Sequence, residues 1–212
     1  MTRPVIVLGA GGHAKVLIDA LQACSTPIRG ILDNDPAKQG GVILGIPVLG
    51  TDAKLKEWAP NEVVLVNGLG STESLLPRAA LHERLRAQGH AFLSVIHPSA
   101  VVSPHARLGE GVQIMAGAVV QAGTRLGDGC IVNTGALVDH DCALGGYVHV
   151  APGAVLSGGV TVGSNTHIGT GAAVIQGIRV GSRCLVAAGA VVVHDVPDGS
   201  RVAGIPARKI KT

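Results

Sequence analysis

Residues 102–131 read VSPHAR-LGEGVQ-IMAGAV-VQAGTR-LGDGCI, and each block of six opens on Val, Leu or Ile. The same register runs from Ile96 through Val138, Leu156 and Ile168 to Val192 without a slip. Three places after the aliphatic residue stands Gly (Gly111, Gly117, Gly123, Gly135) or, as at Asp141 and Asn165, a residue that tolerates positive φ. Four places after it stands a small or β-branched residue such as Ala106, Ala118, Thr124 or Cys130. An α-helix needs a period near 3.6 and an amphipathic strand a period of 2, so a strict six fits neither. It predicts a parallel β-helix, with one short strand and one turn per repeat. The aliphatic residue fills a thin core, and the Gly slot makes the turn.

Composition agrees. Aromatics are 1% of the chain against 31 Gly, too few rings for an ordinary globular core but enough for a prism filled by Val, Ile and Leu. A net charge of +3 with no Lys/Arg run gives nucleic acid or a membrane surface little to hold. Residues 4–10 are apolar but too short for a signal sequence or a span, so the sequence reads as a soluble cytoplasmic protein. Cys130, Cys142 and Cys184 fall on the small inward position, and no C-x-x-C occurs, so packing explains them better than metal or redox chemistry.

The first part of the chain follows other rules, and the expected division is an α/β domain over 1–95, the β-helix over 96–200 and a tail over 201–212. Strands are expected at Val5–Leu8, Ile28–Leu32 and Val63–Val66, with helices from the Gly9-Ala-Gly-Gly-His-Ala14 turn to Ala23 and from about Ser74 to Ala87. This is a Rossmann-like half domain. The turn lets backbone and helix dipole approach a phosphate, and Asp33 at the end of the second strand can meet a ribose or base. About 90 residues is half of a dinucleotide domain, so a mononucleotide carrying a sugar fits better than NAD.

Three hexads make one triangular coil, so residues 18 apart lie one above another, roughly 4.8 Å apart as neighbouring strands do. His149 and His167 then share one outward column, Gly158 lies above His140, and Thr170 and Ala188 form another pair. His140 is flanked by Asp139 and Asp141, and a carboxylate beside an imidazole fixes its tautomer and makes it a better base. The alternative is a solvated histidine on a coil face. Two imidazoles without a third ligand do not make a metal site, and none is expected.

The G-A-G-G-H loop, the unbroken hexads, the V-D-H-D-C segment and the ending Val202-Ala-Gly-Ile-Pro-Ala-Arg208 together resemble the left-handed β-helix acyltransferases. More narrowly the chain resembles the nucleotide-sugar N-acetyltransferases of the bacillosamine and GDP-perosamine type, with sialic acid O-acetyltransferases as relatives. The resemblance implies a left-handed helix and acetyl transfer from acetyl-CoA, without metal, to the C4 amine of a nucleotide-linked 4-amino-4,6-dideoxy sugar. It implies His140 as base and Asp141 as its acidic neighbour, where family members often carry Glu. His149, Gly158, Thr170 and Ala188 would meet acetyl-CoA, with the Gly158 N–H facing the thioester carbonyl. Gly11, Gly12, His13, Asp33, Asn34, Gly68 and Asn133 would meet the sugar nucleotide. A homotrimer with active sites at subunit interfaces is also implied. The family pair at Asp33-Asn34 is often Asp-Asp, which leaves UDP, GDP and dTDP open. A sialic-acid-type O-acetyltransferase is the nearer alternative, and a β-helix scaffold that only senses a nucleotide is the further one.

Overall fold

The computed structural model describes residues 3–70 and 76–210. It divides into two compact units, Met1–Pro98 and Ser99–Thr212.

The first unit is built on strand β1 (Val5–Leu8), all four of whose residues are buried. Helix α1 (Gly12–Ala23) follows and turns Ala14, Leu17, Ile18 and Leu21 inward, the i, i+3, i+4, i+7 stripe of a helix lying on a sheet. Strand β2 (Ile28–Leu32) pairs parallel to one side of β1. Residues 42–50, where no strand is expected from the sequence, form an antiparallel hairpin of β3 (Val42–Ile43) and β4 (Ile46–Gly50). Its two-residue turn puts Leu44 and Gly45 at φ 47° and 82°, the left-handed pair whose twist suits a hairpin. Strand β5 (Val64–Asn67) joins β1 on its other side, giving the order β3-β4-β2-β1-β5. Helix α2 covers Leu76–Ala87; its expected start near Ser74 lies outside the described residues. Because β2 and β5 flank β1, the order reverses beside β1, and a crevice opens at the carboxyl ends of these strands.

The second unit is the β-helix. Residues 18 apart pair in parallel register, as in Val120 with Val138, Leu126 with Leu144 and Val132 with Val150. The first face of the prism stacks strands from Val101–Val102 to Val191–Val192, the second from Arg107–Leu108 to Arg179–Val180, and the third from Gln113–Ile114 to Leu185–Val186. Ile114, Val132, Val138, Val150 and Ile168 are fully enclosed in the core. From Gly111 to Gly189 the turn slot holds positive φ at each repeat, including Asp141 (58°) and Asn165 (58°), and also Tyr147 (60°) and Arg183 (54°), which residue type alone did not flag. Residues Arg201–Ala203 and Arg208–Lys209, read as a tail, extend the third face by two strands.

The inward cysteines and threonines do more than fill space. Cys130 and Cys184 donate from Sγ to the Gly145 and Pro197 carbonyls (3.0 and 3.1 Å), and Thr166 donates to Gly181 (2.7 Å). The Thr166 bond satisfies a carbonyl at a buried corner, where leaving it unpaired is costly.

Candidate active site

Asp139, His140 and Asp141 form the corner between the first and second faces. Their backbone is held from both sides: the Asp141 N–H donates to Ala122 O in the coil below (3.0 Å), and His140 O accepts from Gly159 N–H in the coil above (2.9 Å). Thr124 Oγ1 adds a bond to Asp139 O (2.8 Å), a support that its place at the small inward position hides from sequence reading. The two carboxylates then divide their tasks. Asp139 Oδ1 accepts the backbone N–H of His140 (2.7 Å), while Asp141 Oδ2 lies 2.9 Å from His140 Nδ1. A carboxylate only accepts, so Nδ1 carries the proton and Nε2 keeps its lone pair. The Asp141 hydrogen bond, with the Asp139 charge behind it, raises the imidazole above its ordinary value. The ring is largely exposed and lies against Gly158: a Cβ placed there would stand 2.5 Å from Nε2. Gly158 O accepts from Gly177, and the Gly158 N–H bonds to no described residue. The corner thus sets the Nε2 lone pair against Gly158, whose N–H has no partner among the described residues. Cys142 beside it points inward, donates to Ser157 O at 3.3 Å, and is pushed up by burial, so it is no nucleophile.

Asn133, His149, Thr170 and Ala188 do not share that corner. Asn133, Thr170 and Ala188 lie on the edge between the third and first faces, and His149 on the third face beside it. Asn133 Oδ1 accepts the Thr134 N–H (2.8 Å), which turns its Nδ2 toward His149 Nε2 at 3.1 Å. An amide NH₂ can only donate, so His149 Nε2 is the acceptor and the neutral ring carries its proton on Nδ1. His167, one coil on, meets His149 edge to face at 4.8 Å, and burial lowers its affinity for a proton. Asn133 is therefore engaged in orienting His149.

In the first unit, Asp33 is occupied by its own loop. Its Oδ2 accepts from Ala10 N–H (2.6 Å) and Lys38 Nζ (3.1 Å), and Oδ1 accepts from Asp35 N–H (2.8 Å). Burial pushes this carboxyl up, but those three bonds together hold it below its ordinary value. Asn34 Oδ1 accepts from Asp52 N–H (3.0 Å), leaving its Nδ2 as a donor. Gly9, Asp33, Asn34, Asp52 and Arg84 line a cleft of about 390 Å³, and a second groove of about 350 Å³ runs along Gly11, Gly12, Lys15 and Leu44. Around Gly11 and Gly12, at the start of α1, space is open. Gly68 is packed instead: a Cβ there would meet Leu8 O at 2.7 Å and Ala14 Cβ at 2.8 Å. Buried Arg78, unnoticed in the sequence, ties this loop by donating to Asn67 O (2.8 Å) and Leu69 O (3.0 Å).

Comparison with known proteins follows both units. Residues 4–81 match the PglD N-terminal domain, and residues 105–140 match the bacterial transferase hexapeptide repeats. The acetyltransferase domain of PglB from Neisseria gonorrhoeae, solved in complex with acetyl coenzyme A, is 44% identical over 99% of this chain and 100% of that one, with a TM-score of 0.92. PerB from Caulobacter crescentus, solved with CoA and GDP-perosamine, is 43% identical over 98% of this chain and 97% of that one, with a TM-score of 0.91. The UDP-N-acetylbacillosamine N-acetyltransferase of Bacillus subtilis is 41% identical over 116 residues, covering 53% of this chain and 51% of that protein, so the chain spans about half the length of that curated relative. With a PglD-type α/β domain ahead of an unbroken hexapeptide prism, and full-length likeness to both solved enzymes, the chain belongs to the left-handed β-helix, hexapeptide-repeat acetyltransferases.

Proposed function

We propose that this protein acetylates the C4 amine of a nucleotide-linked 4-amino-4,6-dideoxy sugar, taking the acetyl group directly from acetyl-CoA. The observation that carries the reading is the corner at His140: an Nε2 lone pair held by Asp141 beside the unengaged Gly158 N–H. The amine nitrogen attacks the thioester carbonyl carbon while Nε2 takes the amine proton, a contribution of about 10² to 10⁴ in rate. The Gly158 N–H donates to the carbonyl oxygen as it gains charge, about 3 kcal/mol for one such donor. As the C–S bond breaks, Nε2–H returns the proton to the departing thiolate, so the ring ends as it began. The nucleotide lies at the carboxyl ends of β1, β2 and β5, its phosphates over Gly11, Gly12 and His13 and its base beside Asn34. Asp33 serves by holding the loop. Four free thiols suit a reducing cytoplasm, and no helix among the described residues is long and apolar enough to cross a membrane.

The same reading makes the working unit a homotrimer. His140 and Gly158 lie on one edge of the prism, while Thr170 and Ala188 lie on the next, with the first face between them. An edge-to-edge contact between copies joins the two sets, and a head-to-tail contact of this kind closes as a ring. The outward column of the first face (Val101, Val119, Leu137, Val155) is apolar, with Val101 62% and Leu137 40% exposed, whereas the second face carries Arg107, Arg125 and Arg179. An apolar strip of this kind suits a surface buried between copies.

The test is thiol release from acetyl-CoA with UDP-, GDP- and dTDP-linked 4-amino-4,6-dideoxy sugars, and free sialic acid as comparator. Turnover on one nucleotide-linked amine is expected. Turnover on sialic acid alone would move the assignment to O-acetylation.

A further inference from the structure

From Gly111 to Gly189 the turn slot of each hexad holds positive φ, but it does not demand glycine. Asp141, Tyr147, Asn165 and Arg183 all occupy it at φ between 54° and 60°. At Gly117, Gly135, Gly153 and Gly159 a Cβ would point into open space, so positive φ alone accounts for glycine there. Gly123, one coil below Asp141, is different: a Cβ there would run into Oδ1 of the Asp141 carboxylate. A glycine under a carboxylate also occurs at another position of the repeat, one place after the aliphatic residue. Gly109 lies under Asp128, and Gly181 under Asp198, and there the carboxylate folds down to accept a backbone N–H, from Glu110 and Ser182, at 2.9 Å each. Over Gly123 the carboxylate of Asp141 directs its other oxygen to His140 Nδ1 instead.

We infer that Gly123 is a positioning residue: its missing side chain is the space in which the Asp141 carboxylate lies while it orients His140. The Ala122-Gly123-Thr124 segment is then the platform of the corner, with Ala122 O and Thr124 Oγ1 fixing its backbone and Gly123 admitting its carboxylate. The inference rests on His140 being the base only for its effect on turnover. Its effect on the ring itself is independent of the reaction. The titratable groups that act on His140 are Asp141 and Asp139, and Asp139 is held by the His140 N–H, so displacing Asp141 removes the main support of the charged ring.

The experiment compares Gly123→Ala, Gly123→Asn and Gly199→Ala. Gly199 sits at φ 68° with open space around it, so its Ala variant carries the left-handed strain alone. Asn accepts positive φ, as Asn165 does, so Gly123→Asn carries the collision with little strain and protects the test against a misfolded Ala variant. NMR titration of the His140 ring, on the intact assembly, is expected to show a lower midpoint in both Gly123 variants and a wild-type midpoint in Gly199→Ala. With an accepted substrate, kcat falls about 10- to 100-fold at unchanged KM, and adding Asp141→Asn to either Gly123 variant costs nothing further. A wild-type His140 midpoint in Gly123→Asn would overturn the inference and leave Gly123 a turn residue. A shifted midpoint without acetyl transfer to any amine would uphold it while removing the proposed reaction.

Discussion

Nδ1 of His140 and Oδ2 of Asp141 lie 2.9 Å apart although the residues are chain neighbours, because Asp141 occupies the left-handed turn slot at φ 58°. In an ordinary strand adjacent side chains point to opposite faces. Here the turn brings them together. The pair sets the pH response. His140 must be unprotonated at Nε2 to act as a base, so the rate rises with pH through its pKa, which Asp141 holds above the ordinary 6.5. Asp141→Asn removes the charge and the acceptor that fixes the tautomer. The acidic limb of the kcat/KM profile is expected to move to lower pH while the plateau falls about 100-fold.

Gly158 gives a cleaner test of space. It has no left-handed φ to protect, so Gly158→Ala leaves the backbone unstrained but sets a methyl 2.5 Å from Nε2. We expect a melting temperature close to wild type and a kcat reduced about 100-fold, as for a reacting group displaced by an ångström. Calorimetry beside steady-state kinetics separates the two.

The proposed trimer, with its site shared between copies, makes a prediction that no single-chain site makes. His140→Asn spoils one edge and Ala188→Trp the other, so each pure variant is inactive. In a randomly mixed trimer each site draws its edges from two copies, and one half times one half leaves about a quarter of sites intact. Unfolding and refolding the two variants together is expected to restore that fraction of turnover. No recovery would place the site within one chain.

Asp33 ties stability to pH. Its folded pKa is depressed, so its contribution is present above the unfolded value, close to 3.8, and is lost as pH falls through the folded one. Asp33→Ala is expected to cost about 2 kcal/mol near neutrality, the scale of hydrogen bonds to a charged group. The gap from wild type, followed by urea denaturation, should close as pH drops below 3.8.

The prism was legible because its physics is periodic: one inward aliphatic every six residues and one column every 18 place His149 beside His167 and Gly158 against His140 before any coordinates. What periodicity could not decide was direction. Asp139 and Asp141 flank His140 alike in sequence, and only the positive φ of Asp141 assigns one to the ring and the other to the backbone. Likewise 18-residue spacing ranks residues by height but not by partner, so the bonds of the Asn133 amide to Thr134 and His149 could not be read from it. The β3–β4 hairpin was missed because Val42 and Ile43 make too short an apolar run to stand out among glycines. Arg78 was missed because a buried arginine looks, in sequence, like one more exposed charge on a helix.

The most direct test of the account is turnover by His140→Asn on the nucleotide-linked amine that the wild-type protein accepts, with assembly verified by light scattering. Asparagine keeps the polarity and much of the shape of the ring but holds no lone pair able to take a proton at neutral pH. The account predicts thiol release lowered about 10² to 10⁴-fold with KM for the sugar nucleotide little changed. Turnover within a few fold of wild type, in a fully assembled variant, would contradict it and remove His140 from the chemistry.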